Sequence, residues 1–87
     1  MQFSIVFTEQ AEKEFLKLEK SARDLISRTI LTRLQVDPIG YGKELKYTWG
    51  GHLSLRVSSY RIIYRVENQK CIVIIVRIAR RADVYED

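Results

Sequence analysis

The sequence has 87 residues, which is room for one hydrophobic core but not for two. Hydrophobic residues make up 46% of it and charged residues 30%, which excludes the apolar-poor composition of a disordered chain. No apolar run approaches the roughly 20 residues of a membrane span, and the single cysteine, Cys71, excludes a disulfide framework. We therefore expect one soluble domain over residues 1–87, with no membrane partner, in a reducing cytoplasm.

The chain should open with a β-strand and a helix. Phe3, Ile5 and Phe7 alternate with less apolar residues, which indicates a strand with one apolar face. Thr8 is a residue type that caps helix N-termini, and the residues after it place an apolar stripe at helical spacing. The stripe consists of Ala11, Phe15 and Leu18, widened by Leu16.

A second helix should complete a helical hairpin. Ser21 with Asp24 resembles a capping box, so we expect the second helix to start there. The Asp37-Pro38 pair should end it, because the residue before proline is disfavoured in the helical region. Its buried side is predicted to contain Leu25, Ile26, Thr29, Ile30 and Leu34.

The rest of the chain predicts strands. Their expected ranges are Lys43–Tyr47, His52–Val57, Tyr60–Val66 and Cys71–Ile78. The predicted fold class is therefore α+β, with an N-terminal strand, a helical hairpin and an antiparallel β-meander. Both helices should cover one face of the sheet and leave the other open.

The net charge of +4 is unevenly distributed along the chain. Residues 1–42 hold six basic and six acidic residues, which cancel. Between Lys46 and Arg81 there are eight basic residues and one acidic residue, Glu67. Such an excess indicates either a surface for a polyanion or a solvated basic surface that binds nothing.

The register of one hairpin sorts these basic residues by face. If Ser58-Ser59 is a two-residue turn, Val57 opposes Tyr60 and Arg56 opposes Arg61, with Ser54 opposite Ile63 and His52 opposite Arg65. Opposed residues share a face, so one face is apolar. The other holds His52, Ser54, Arg56, Arg61 and Arg65, with Ile63 as its one apolar member and no carboxylate.

Opposed like charges destabilise a hairpin, so this arrangement favours anion binding over a merely solvated surface. Arg80, Arg81 and then Tyr85 follow near the end of the last strand and extend the basic surface. Arg77 fits simple alternation poorly because it falls on the apolar side near Tyr60. We expect a strand end or a β-bulge there.

Two segments carry a family resemblance. They are Leu-Arg-Val-Ser-Ser-Tyr-Arg-Ile-Ile-Tyr-Arg-Val at residues 55–66 and Ile-Ala-Arg-Arg-Ala-Asp-Val-Tyr at residues 78–85. In this order, after a strand and a helical hairpin and the Lys-Glu-Leu-Lys segment at residues 43–46, they resemble the RelE/ParE toxin superfamily. The resemblance implies a RelE-like fold and a toxin of a type II toxin-antitoxin system, held inactive by a RelB-like antitoxin protein.

The superfamily has two branches with different activities. The RelE branch comprises ribosome-dependent endoribonucleases that cut mRNA, and the ParE branch inhibits DNA gyrase. In the RelE branch, arginines at the positions of Arg61 and Arg81 contact the scissile phosphate, and a tyrosine like Tyr85 assists. Related nucleases carry lysines at the positions of His52 and Ser54, and this sequence departs from them there.

The resemblance therefore implies an mRNA endoribonuclease that needs no metal and no cofactor. The sequence itself has one histidine, one cysteine and no clustered carboxylates of ligand spacing. The ribose 2′-hydroxyl would attack the adjacent phosphorus, with Arg61, Arg81 and Tyr85 as catalytic residues and His52 as a candidate base, because imidazole changes charge near neutral pH.

Arg56, Arg65, Arg80 and Ser54 would bind ribosomal or messenger RNA. Two alternatives remain, a ParE-like gyrase inhibitor and a catalytically weak homologue that only binds an antitoxin.

Overall fold

The computed structural model describes residues 2–80, which form a five-stranded sheet with helices packed on one face. In chain order the elements are β1 Ser4–Phe7, α1 Glu9–Leu16, α2 Lys20–Thr29 with a π-helical continuation Ile30–Leu34, α3 Pro38–Tyr41, β2 Lys43–Glu44, a 3₁₀ turn Tyr47–Trp49, β3 Leu53–Val57, β4 Tyr60–Glu67, a 3₁₀ turn Asn68–Lys70 and β5 Ile72–Arg80. The expected α+β architecture is confirmed.

The spatial order of the strands is β1-β5-β4-β3-β2. Strands β2 to β5 pair antiparallel as a meander, whereas β1 pairs parallel with β5, from Ser4 beside Ile72 to Phe7 beside Ile75. A β-bulge interrupts the β4–β5 ladder, because Ile63 pairs with Arg77 while Tyr64 pairs with Ile75. The expected irregularity at Arg77 is thus confirmed.

The core lies between the helices and one face of the sheet. Thr8 caps α1 as expected, since its side chain accepts a hydrogen bond from the Ala11 amide. Ala11, Ile26 and Leu34 from the helices are fully buried. They belong to the same cluster as the sheet residues Leu55, Val57, Ile62, Tyr64, Val73, Ile75 and Ile78.

Two predicted boundaries were wrong. Helix α2 starts at Lys20 with Glu19 as its N-cap, so Ser21 lies inside the helix, and Asp24 pairs instead with Lys20 one turn earlier, at 3.1 Å. Beyond Asp37, residues 38–41 form a separate helical turn, with the Asp37 side chain accepting a hydrogen bond from the Gly40 amide. The strand expected over residues 43–47 contains only Lys43 and Glu44.

None of the helices within residues 2–80 is long and apolar enough to cross a membrane.

Candidate nucleic-acid interface

The face of the sheet opposite the helices carries a row of basic residues. The Ser58-Ser59 turn sets the predicted register, with Arg56 of β3 opposite Arg61 of β4 and Ser54 opposite Ile63. On the outer side of β3, Lys43 of β2 is opposite Ser54. We call Lys43, Ser54, Arg56, Arg61 and Arg65 the basic face, because strand alternation and pairing put them on one side of the sheet.

Arg61 lies deeper in this face than expected. Arg56 is exposed, but only 2% of the Arg61 surface is accessible to solvent. Arg61 therefore does not project into solvent, although the sequence placed it on the face of the sheet that the helices leave open. A guanidinium remains charged in a protein interior, so Arg61 supplies a fixed positive charge beneath the surface that Arg56 presents.

A small hydrophobic cluster covers the middle of the basic face. The buried residues Leu45 and Ile63 pack together, with Trp49 and Ala79 against them. Ile63 is thus not the single apolar residue of this face, because the segment after β2 folds back over the sheet. Ile63 lies between Arg61 and Arg65 on β4, and these two arginines are about 13 Å apart along the strand.

Arg65 lies close to a carboxylate on its own strand. Its guanidinium lies 3.5 Å from the carboxylate of Glu67, which also lies 3.9 Å from the Lys70 ammonium. The expectation of a face without carboxylates holds for residues 52–65 and fails at Glu67, two residues further along β4. Glu67 therefore offsets part of the positive charge at the Arg65 end of the face.

His52 lies just before β3, beside the segment that covers Ile63. Its ring makes an edge contact with Trp49, with 5.3 Å between the ring centroids, and its Nδ1 is 3.3 Å from the Gly50 carbonyl oxygen. When Nδ1 carries the proton and donates to that carbonyl, the neutral ring leaves Nε2 as an acceptor. The ring is therefore held in an orientation in which Nε2 can accept a proton.

The structure does not bring Arg80 to the basic face. Arg80 pairs across the ladder with Tyr60, whose ring packs on the core side, and its guanidinium is 5.8 Å from the centre of that ring. Arg77 also points away, because its Nε donates to Glu14 of α1 at 2.7 Å. Arg81 and Tyr85, predicted as catalytic, lie outside the described residues.

Lys43 is the one member of the basic face that sequence reasoning missed. It was predicted to lie in a strand, but the register between β2 and β3 could not be deduced without knowing where β2 ends. Lys43 is opposite Ser54. A lysine of the neighbouring strand therefore lies beside the position at which the resembled nucleases carry a lysine and this sequence has serine.

Comparison with known proteins gives consistent similarities over the whole chain. A family model described as "ParE toxin of type II toxin-antitoxin system, parDE" matches residues 5–85. Toxin RelG of Mycobacterium tuberculosis is 29% identical over 85 residues, which is 98% of each chain. The mRNA interferase toxin RelE of Escherichia coli is 27% identical over 89 aligned positions, which cover 100% of this chain and 94% of the relative.

Solved structures give the same result for the fold. The toxin-antitoxin complex RelBE2 from M. tuberculosis contains a chain that matches with a TM-score of 0.87 and 26% identity, covering 93% of this chain and 100% of that one. The isolated E. coli RelE toxin matches with a TM-score of 0.75 and 22% identity, covering 90% of this chain and 83% of that one. At that identity the second match concerns the fold alone.

Proposed function

We propose that this chain, which belongs to the ParE toxin family of type II toxin-antitoxin systems within the RelE/ParE superfamily, cleaves mRNA on the ribosome and so inhibits translation. It would act as one toxin domain over residues 1–87. The observation that carries the proposal is the pairing of Arg56 with Arg61 on a face without carboxylates between residues 52 and 65. A relative aligned over the full chain and named an mRNA interferase supports the choice of RNA as the polyanion.

The proposed reaction is an internal phosphoryl transfer. The ribose 2′-oxygen forms a bond to the adjacent phosphorus and gives its proton to a base, while the bond to the 5′-oxygen breaks and that oxygen takes up a proton. Negative charge builds up on the phosphorane oxygens. Arg61 and Arg81 would stabilise that charge, and the burial of Arg61 supports this role, because a donor already fixed in place needs no reorganisation during the reaction.

We assign the remaining candidate residues as follows. His52 would accept the 2′-hydroxyl proton through Nε2, since its contacts with Trp49 and Gly50 hold the ring in a suitable orientation. Tyr85 would orient the phosphate or stack on a base. The residues proposed to bind RNA without taking part in the chemistry are Arg56, Arg65, Ser54 and, from the other side of the sheet, Arg80.

The proposed protein partner is a cognate antitoxin similar to RelB. The M. tuberculosis structure that resembles this chain is a toxin-antitoxin complex by name. An acidic or amphipathic segment that covers the basic face would block RNA access by charge complementarity.

The test is expression of the chain without an antitoxin, followed by primer extension on translated mRNA with and without ribosomes. We expect growth arrest and cuts in translated messages, with naked RNA spared. Arg61→Met keeps most of the buried volume and removes the charge, so it should lower cleavage about 100-fold or more while the variant stays folded. Arg28→Met, an exposed arginine on α2, is the matched control and should cleave normally.

Inhibition of DNA gyrase is the second candidate. It is favoured by the name of the matching family model and by the presence of His52 and Ser54 where the resembled nucleases carry lysines. Growth arrest with intact transcripts and inhibited supercoiling would favour this candidate over RNA cleavage. Antitoxin binding with neither activity would instead identify a catalytically weak homologue.

A further inference from the structure

A groove lies at the outer edge of β3, where β2 ends. Strand β2 pairs only with Leu53 and Ser54, while β3 continues to Val57. Before Lys43 the chain turns away from the sheet into α3, whose position is fixed by the Tyr64 hydroxyl donating to the Pro38 carbonyl at 2.6 Å. The space left beside β3 is about 370 Å³, lined by Tyr41, Lys43, Ser54, Leu55 and Arg56.

The described residues that line this groove are basic or uncharged. Lys43 and Arg56 contribute two cations, Ser54 contributes a hydroxyl, and none of the lining residues within the described part of the chain is a carboxylate. Glu44 follows Lys43 in sequence, but it lines a different cavity together with His52. Two cations flanking a hydroxyl suit the oxygens of a phosphate group, which accept hydrogen bonds from all three kinds of donor.

The groove also has an aromatic wall. Tyr41 is 50% exposed, and its ring lies 5.6 Å from the guanidinium carbon of Arg33. Exposed aromatic rings bind unpaired bases by stacking, with little dependence on base identity. A phosphate site beside a stacking ring selects a nucleotide over an inorganic anion.

We propose that this groove binds one nucleotide of a single-stranded RNA, with its phosphate between Lys43 and Arg56 and its base on Tyr41. The inference deepens the proposed function and rests on it. Arg56 is directly opposite Arg61, and neighbouring strands are about 4.8 Å apart, so an RNA strand held at Arg61 can extend into the groove. The groove would thus bind a nucleotide next to the one that is cut.

The first test measures binding of a short 2′-O-methyl oligoribonucleotide, which cannot be cleaved, to the full chain by fluorescence anisotropy at several salt concentrations. Lys43→Gln should weaken binding about tenfold and reduce the slope of log K against log salt by about 0.7. Tyr41→Leu should weaken binding about fivefold without changing that slope, because stacking releases no counterions. Thermal melts should show that both variants are folded.

Lys70→Gln is the control for Lys43→Gln. It removes the same charge from an exposed lysine in the turn before β5, and it should leave affinity nearly unchanged. Equal losses of affinity in Lys43→Gln and Lys70→Gln would mean that the oligonucleotide responds only to the net charge of the protein. That result would overturn the proposed phosphate site at Lys43. An unchanged affinity in Tyr41→Leu would overturn the base contact.

Two competition experiments identify the ligand. Inorganic phosphate should displace the oligonucleotide only at far higher concentration, and an acidic peptide of equal charge should compete poorly. Competition by either one at the concentration of the oligonucleotide would overturn the nucleotide assignment, and in the second case would favour an acidic protein partner.

Cleavage assays then separate this inference from the proposed function. Normal cleavage of mRNA with unaltered binding in both groove variants would refute the groove alone. Oligonucleotide binding that depends on Tyr41 and Lys43, in a chain that leaves translated mRNA intact, would support the groove and refute the nuclease.

Discussion

The two faces of the sheet are packed in different ways although they share the same strands. The helix-covered face buries aliphatic residues from β3, β4 and β5, with Ile5 and Phe7 of β1 partly buried beside them, and the helices pack their own apolar side chains against them. The basic face has the small cluster of Leu45 and Ile63, around which the charged residues are arranged. Because successive residues of a strand point to opposite faces, one face can supply most of the stability while the other carries charges that destabilise one another.

The largest expected effect tests the helix-covered face. Ile75 is fully buried there, so Ile75→Ala should lower the free energy of unfolding by about 3 to 4 kcal/mol through lost burial and a residual cavity. Ile74, its half-buried neighbour on the other face, pairs with Arg65, and Ile74→Ala should cost about 1 kcal/mol. Urea denaturation measures the free energy of unfolding of both variants. Similar losses in the two would mean that the helix-covered face does not supply most of the stability.

The next prediction concerns how much the cluster of Leu45 and Ile63 contributes to the stability of the fold. Ile63 is fully buried, but its cover includes the segment that carries Leu45 and Trp49, which can partly collapse onto a smaller side chain. Ile63→Ala should therefore cost about 2 kcal/mol, between the values for Ile75 and Ile74. A loss as large as that of Ile75→Ala, measured in the same urea titration, would mean that both faces contribute equally to stability.

Local patterns in the sequence were sufficient for the helix-covered face and for one hairpin. Thr8 as a cap and the turn at Ser58-Ser59 depend on neighbouring residues, and the structure confirms both. The apolar stripe is confirmed for Ala11, Phe15 and Leu18, whereas Leu16, expected to widen it, is 65% exposed. The parallel pairing of β1 with β5 joins residues far apart in the chain, and no local pattern indicates it.

The basic face was predicted less completely for the same reason. Its register follows from a two-residue turn, but the burial of Arg61 and the position of Lys43 depend on how distant segments pack. The sequence predicted a strand over residues 43–47, yet only Lys43 and Glu44 form one. Leu45 is buried against Ile63 and still donates its amide to the His52 carbonyl, and the chain then turns at residues 47–49. Tertiary packing overrode local strand propensity there.

A third prediction concerns the edge of the sheet between the two faces. Strand β1 ends at Phe7, and beyond it the Glu14 carboxylate of α1 accepts hydrogen bonds from the Ile78 amide at 2.8 Å and from Arg77 Nε at 2.7 Å. Glu14→Ala should cost about 2 kcal/mol because both donors lose a charged acceptor.

Glu14→Gln is the matched variant, since it keeps an acceptor for the amide and removes the charge. It should cost about 1 kcal/mol. Hydrogen exchange at Ile78 should be faster in Glu14→Ala than in Glu14→Gln. Strand β1 ends beside Ile75, so no residue of β1 pairs with Ile78. Equal exchange rates in the two variants would mean that the Glu14 carboxylate does not protect the Ile78 amide in place of a neighbouring strand.

The smallest effect concerns Tyr64, which links the helix-covered face to α3 and to the edge of β2. Its buried hydroxyl donates to the Pro38 carbonyl at 2.6 Å, so Tyr64→Phe should cost about 1 kcal/mol at neutral pH. Burial, and secondarily the nearby Asp37 carboxylate, raises the pKa of Tyr64 above its ordinary value. The folded protein therefore keeps this proton at alkaline pH, whereas the unfolded chain loses it above about pH 10.

The sign of the pH dependence follows from this difference in bound protons. Above about pH 10 the folded state binds more protons than the unfolded state, so the free energy of unfolding falls, by at most about 1.4 kcal/mol per pH unit. The stabilisation from Tyr64 is complete below pH 10 and is lost as the pH rises further. The roughly 1 kcal/mol advantage of the original chain over Tyr64→Phe should thus shrink towards zero near pH 11, in urea titrations at pH 8 to 11. A constant difference across that range would mean that the hydroxyl ionises equally readily in the folded and unfolded chains, and that its bond to Pro38 does not hold α3 against the sheet.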